Sequence, residues 1–129
     1  MPPSAPKTKR KSRNGSAKGA LVPKPRVPSS LERKFDLIWV SINGQRLEVE
    51  FKFHPTRKWR ADYVHHDSLT LIEIEGGAWG GRHSRGGGFL KDAEKYLEAA
   101  KLGYLVIRLT SPLITIENCE WIKELIESR

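Results

Sequence analysis

Leu69-Thr70-Leu71-Ile72-Glu73-Ile74-Glu75-Gly76-Gly77 decides the fold. The run is apolar and β-branched, as a strand inside a sheet requires, until its two glutamates. Side chains alternate along a strand, so Glu73 and Glu75 project from one face. Two carboxylates roughly 7 Å apart on a strand repel each other and resist burial. They are tolerated if solvated, or if a cation sits between them. Asp62 lies eleven residues earlier, near the start of a preceding strand read from Trp59 to Val64. If those strands are neighbours, Asp62, Glu73 and Glu75 converge at one edge of the sheet.

Working outward toward the N-terminus, Leu47, Val49, Phe51 and Phe53 alternate with Glu48, Glu50 and Lys52. That pattern predicts a half-buried strand with the four apolar residues on one side. His54-Pro55-Thr56 ends it, and Asn43-Gly44 is a turn before it. Ser29 is a helix cap, followed by Leu31, Phe35, Leu37 and Ile38 at helical spacing up to Val40. Toward the C-terminus, Gly76 to Gly88 reads as a glycine-rich loop. Leu90, Ala93, Leu97 and Ala100 then mark the apolar face of a helix that Gly103 ends. Tyr104 to Leu109 is a short strand, and Trp121, Ile122, Leu125 and Ile126 line a last helix. The expected order is αβββαβα, an α/β fold with a mixed central sheet flanked by helices.

The chain has 129 residues, enough for one ordinary domain. Its net charge of +8 is confined to the N-terminus. Residues 1–28 carry eight Lys or Arg and no acid, while the other fifteen Lys/Arg balance the fifteen Asp/Glu of residues 29–129. Rich in Pro, Ser and Gly, residues 1–28 are expected to be a disordered basic arm ahead of a domain at 29–129. Such an arm attracts polyanions through counterion release, or serves only as a solubilising tail. No apolar run approaches the roughly 20 residues that cross a bilayer, so no membrane partner is expected. The basic N-terminus lacks the apolar segment of a secretory signal. One cysteine, Cys119, excludes an internal disulfide and a cysteine-rich zinc site. These features point to a cytoplasmic protein.

Hard oxygen ligands, without a thiolate or a histidine pair, suit Mg²⁺ or Mn²⁺. The chemistry that fits such a cation beside basic residues is phosphodiester hydrolysis. The competing reading of the acids is a solvated strand end. His83 stands in the glycine loop just beyond them, as a general acid, a phosphate contact or an exposed loop residue. Arg82 and Arg85 flank it, and Arg57, Lys58 and Arg60 precede Asp62. Arginine binds phosphate bidentately, so Arg57, Arg60, Arg82 and Arg85 are candidate DNA contacts. Trp59 and Trp79 read first as packing residues and second as base-stacking platforms.

An Asp, a hairpin, and Glu-x-Glu on an apolar strand within αβββαβ resemble the PD-(D/E)XK nuclease superfamily. The resemblance runs over roughly residues 48–110. It is carried by Phe51 to Asp62, Ile72 to Gly77, Gly81-Arg82-His83-Ser84-Arg85-Gly86 and Asp92-Ala93-Glu94-Lys95-Tyr96. Within the superfamily these segments resemble small phage-type endonucleases, akin to Holliday junction resolvases and very-short-patch repair endonucleases. The resemblance implies a restriction-endonuclease-like core and a Mg²⁺-dependent (or Mn²⁺-dependent) DNA endonuclease, with branched, junction or nicked DNA among its substrates. Asp62 and Glu73 match the two metal-binding acids. Glu50 matches a further acid, as an outer ligand or the partner of a surface salt bridge. Glu75 falls where the superfamily usually has Lys. It is then a further ligand or a water-orienting base, or the cation comes from elsewhere. Lys95 is the candidate for that displaced cation, against the plain reading of an exposed helix lysine.

The alternatives are a nuclease-like module that only binds DNA, and an interaction protein with a solvating tail. Three acids beside phosphates have no use in a pure binder, and the arginines disfavour the last. Oligomeric state is open, a homodimer being one option. His65-His66-Asp67 reads as a hairpin tip rather than a metal cluster, and Cys119 as a packing residue.

Overall fold

The structure of the protein is a computed structural model that describes residues 27–76 and 86–129. The elements run α1 (Ser30–Ser41), β1 (Glu48–Lys52), β2 (Arg60–His65), β3 (Thr70–Glu75), α2 (Gly86–Lys101), β4 (Leu105–Thr110) and α3 (Ile116–Ser128). A short 3-10 turn at Ser111–Leu113 joins the last two. The four strands form one sheet in the order β1-β2-β3-β4. β1 and β2, and β2 and β3, are antiparallel, while β3 and β4 are parallel. This is the expected mixed α/β architecture. The basic arm lies outside the described residues except for Val27 and Pro28.

Two cores sandwich the sheet. Phe35 and Trp39 of α1 and Cys119, Ile122 and Ile126 of α3 meet Tyr63, Ile72 and Leu109 on one face. Ala99 of α2 meets Phe53, Ala61, Val64 and Leu71 on the other. The N-terminus of α1 is fixed by a capping box. Ser29 Oγ accepts the Glu32 amide at 3.1 Å, and the Glu32 carboxylate accepts the Ser29 amide at 2.8 Å. α2 stops at Gly103, whose φ of 92° suits glycine.

Gly44 is required for a steric reason. A Cβ there would stand 2.2 Å from Trp39 Cε2. Trp39 cannot move aside freely, because its indole N–H donates to the Gln45 carbonyl at 2.7 Å. Gly44→Ala is therefore expected to cost about 1–3 kcal/mol, read as a lowered midpoint in urea unfolding. An unchanged midpoint would mean that the turn shifts freely.

Three expectations are corrected. First, Leu47, Val49, Phe51 and Phe53 do not share one face. Leu47 packs with the α1/α3 core and Phe51 and Phe53 with the α2 core, while Val49 is exposed. The facing switches at Glu50, which has a left-handed φ of 51°. The paired strand switches at the same level, with Ala61 in one core and Tyr63 in the other. Second, α2 begins at Gly86, inside the stretch read as loop. Third, the buried faces of the helices differ from the apolar stripes. Leu37 of α1 and Leu90 and Leu97 of α2 are exposed. Trp39 replaces Leu37, and α2 turns Lys95, Tyr96 and Ala99 inward. Two stripes of α2 satisfy helical spacing, and the one bearing polar groups packs because the sheet offers it carboxylates.

Candidate acid site between two splayed strands

The β2–β3 ladder pairs His65 with Thr70, Val64 with Leu71 and Tyr63 with Ile72, and stops there. The next residues along it are Asp62 and Glu73. Their side chains replace the missing ladder bonds. The Asp62 amide donates to Glu73 Oε2 at 2.9 Å, and the Ile74 amide donates to Asp62 Oδ2 at 2.7 Å. Each carboxylate thus bonds the backbone of the opposite strand, and the two acids meet where the strands part.

Glu73 is buried, with 7% of its surface exposed. Lys95 of α2 reaches its Oε1 at 2.7 Å. Tyr96 Oη lies 3.3 Å from both Glu73 Oε1 and Glu75 Oε2. The hydroxyl has one hydrogen, so it serves one of the two at a time. Glu75 shares the face of Glu73 but is gripped by Arg108 of β4. The guanidinium donates from Nε to Oε2 and from Nη2 to Oε1, the latter at 2.9 Å. Arg108 also lies over the Tyr96 ring, 4.4 Å from its centroid.

Burial pushes the Asp62 carboxyl up to about 6. The Ile74 amide opposes that rise, the charges of Glu73 and Glu32 add to it, and Lys95 opposes it. Arg108 beside Glu75 holds that carboxyl below the usual range, against the effect of its partial burial. Burial, with the two glutamates adding, keeps the Tyr96 phenol protonated far above its ordinary value.

Of the residues singled out in the sequence, the structure brings Asp62, Glu73, Glu75 and Lys95 together. Glu50, across from Asp62 on β1, is exposed and faces Arg60 Nη1 at 3.8 Å. Arg57 is tied to the fold. It donates to both Glu94 oxygens, at 3.0 and 3.4 Å, and stacks on Trp59. Trp59 in turn stacks on Phe53, which is the packing role read for it. Trp79, Arg82, His83 and Arg85 lie outside the described residues. His65 is buried, bonded to Gln45 Oε1 at 2.7 Å and Ser68 Oγ at 2.8 Å, whereas His66 pairs with Glu48. Among the described residues no group of three or more His, Cys, Asp or Glu side chains is arranged to hold a metal ion. Cys119 is buried, and burial pushes its thiol up to about 11.

Arg108 and Glu32 were not singled out from the sequence. Arg108 had one usable signal: it is the only charged residue within Tyr104 to Leu109. Glu32 gave none beyond its place three residues after the Ser29 cap.

The sequence matches no protein-family model and no curated protein. Among solved structures, the fold is similar to that of the catalytic domain of the homing endonuclease I-Bth0305I, with a TM-score of 0.50. The similarity covers 78% of this chain and 93% of that domain, at 19% sequence identity. At that identity the likeness is one of fold: this chain shares the architecture of that domain.

Proposed function

We propose that the chain is a metal-dependent DNA endonuclease of the PD-(D/E)XK type. The observation that carries this reading is the crossed pair, in which Asp62 and Glu73 each cap the opposite strand where β2 and β3 part. The two carboxylates satisfy backbone amides that ordinary strand pairing would satisfy without charge, and burial disfavours the ionised form of Asp62, a cost that a bound cation would offset. The fold likeness to an endonuclease catalytic domain supports the nuclease part of that reading.

The donors fit a hard divalent ion. Asp62 and Glu73 would hold Mg²⁺ or Mn²⁺ through carboxylate oxygens, while Glu75 is engaged by Arg108 and Glu50 faces Arg60. Burial disfavours ionised Asp62, so a cation there would remove a penalty the fold already carries. Bound in this place, the ion would polarise the scissile phosphate and acidify an attacking water. The chain's own groups do the rest. Lys95 fixes the Glu73 carboxylate from behind, and Tyr96 steadies Glu73 and Glu75. Arg60, 58% exposed at its side chain, is a candidate phosphate contact. Arg57 contributes by holding the β1–β2 connection against α2. Arg82, His83 and Arg85 complete the proposed grip, His83 as a proton donor to the leaving oxygen.

The test is incubation with linear, nicked and four-way DNA, with and without Mg²⁺ or Mn²⁺. Cleavage that requires the metal supports the reading, and its absence on all three substrates rejects it. The second reading is a DNA-binding module without turnover. It is favoured by the engagement of Glu73 by Lys95 and of Glu75 by Arg108. Binding without cleavage in the same assay would select it.

The basic arm bears on affinity in either case. Deleting residues 1–28 removes eight positive charges. Non-specific DNA affinity is expected to fall, and the slope of log affinity against log salt to flatten. The change should be less than the about 7 that eight phosphate contacts would give. Unchanged affinity by fluorescence anisotropy would remove the arm from DNA binding.

A further inference from the structure

Next to the crossed acids stands a second charged unit, built from three elements: Glu75 on β3, Arg108 on β4 and Tyr96 on α2. In the parallel β3–β4 register Arg108 is opposite Glu73 and Thr110 is opposite Glu75. Arg108 therefore starts beside the buried acid and leans along the sheet to Glu75. Its guanidinium is fixed on two sides, by the two-point contact to Glu75 and by the Tyr96 ring beneath it.

That fixing does little for the fold. The Arg108 and Glu75 side chains are 46% and 28% exposed, and pairs this close to water contribute about 0–1 kcal/mol. What the contacts achieve is orientation. Of the five N–H donors of a guanidinium, Glu75 takes two, and the rest of the planar fork matches a phosphate. Lys95 is placed differently. Its side chain is only 16% exposed, and its ammonium is 2.7 Å from Glu73. It lies behind the acid, with its charge spent there. A phosphodiester held by a metal at Asp62 and Glu73 gains further negative charge on its free oxygens as it is attacked. Arg108 is an accessible cation aimed from the acids' own side of the sheet, whereas Arg60 faces Glu50.

We infer that Arg108 is the cation this site presents to the scissile phosphate, with Glu75 and Tyr96 as its positioning residues. The inference rests on the nuclease reading above. It also gives Glu75 a role: the acid anchors, from the neighbouring strand, the positive charge that its own position does not supply.

The experiment uses the full chain with Arg108→Gln and Arg108→Lys. Cleavage of supercoiled plasmid DNA is measured with Mn²⁺ at saturating DNA. Binding to a short duplex is measured without metal across a salt series. Arg108→Gln keeps a hydrogen bond to Glu75 and a stem against Tyr96 but no charge. It should lose about 100-fold in cleavage and about 0.9 in salt slope, one phosphate contact. Arg108→Lys should keep the slope and cleave within about tenfold of the parent. A purely structural arginine would shift the melting temperature and leave the slope alone. Parental cleavage and slope in Arg108→Gln would overturn the inference. If that variant proves too unstable to assay, Glu75→Gln carries the test. The arginine then keeps its charge but loses its anchor, and cleavage should fall about tenfold; parental turnover overturns the inference. A parent protein that cuts nothing with Mg²⁺ or Mn²⁺ rejects the nuclease reading and this inference together. A parent that cuts, beside an indifferent Arg108→Gln, rejects this inference alone.

Discussion

Asp62→Asn is expected to abolish cleavage and, at the same time, to stabilise the protein above neutral pH. The loss of activity should be about a thousandfold or more, since a metal-holding acid supports several kcal/mol of transition-state stabilisation. The gain in stability follows from the raised carboxyl. In the folded state Asp62 keeps its proton up to about pH 6, against an ordinary value of 3.8. Its stabilising contribution is therefore complete below about pH 4 and is lost as pH rises through 6. Asparagine keeps an oxygen to accept the Ile74 amide and never ionises. At pH 7.5 the variant should be more stable by about 1–2 kcal/mol, after allowance for solvent at a partly exposed group. At pH 4 the two proteins should melt together. On the proposed metal reading, Mn²⁺ should raise the melting temperature of the parent, as a ligand of the folded state does, and should leave Asp62→Asn nearly unmoved. A variant that is less stable than its parent at pH 7.5 would show that Asp62 is structural.

How far the sequence exposes this site is clearest strand by strand. The parity of Glu73 and Glu75 follows from strand geometry alone, and both do face α2. The neighbour relation of β2 and β3 follows from the short turn between them, so the approach of Asp62 to Glu73 was legible. What was not legible is local geometry that breaks the repeat. Strict alternation in β1 predicts one apolar face, but the left-handed residue at Glu50 rotates the strand. No periodicity marks such a residue, because glutamate has no preference for that conformation. In α2 the same limit applies differently. The stripe of Leu90, Ala93, Leu97 and Ala100 has the right spacing and the right chemistry, yet Leu90 and Leu97 are exposed. Helical spacing identifies two stripes, and only the partner surface selects between them. Here the partner bears carboxylates, so Lys95 and Tyr96 are drawn inward. Arg108 was hidden for the related reason that its role depends on strand order, in which β4 lies beside β3.

Glu73→Gln should also abolish cleavage, but with the opposite effect on stability. Glu73 uses one oxygen for the Asp62 amide and the other for Lys95. A glutamine has a single carbonyl oxygen. Its amide nitrogen must face either the Asp62 N–H or the Lys95 ammonium, donor against donor. With the Glu73 and Lys95 side chains only 10% and 16% exposed, the orphaned group is poorly reached by water. Breaking such a pair from one side should cost about 3 kcal/mol, near the lower end for buried pairs, measured by urea unfolding at pH 7.5. Adding Lys95→Met should restore part of that loss, because the unpaired ammonium is removed along with its partner. Cleavage should stay absent in the double variant, since the acid is still missing. Two neighbouring acids would then be equally necessary for turnover, one of them raising the stability of the fold and the other lowering it. The opposite stability effects follow from burial of Asp62 and from the two partners of Glu73; it is the joint loss of cleavage, uncorrelated with stability, that separates a metal pair from a structural one. Loss of stability at both, with cleavage retained at either, would take the metal site away from this pair.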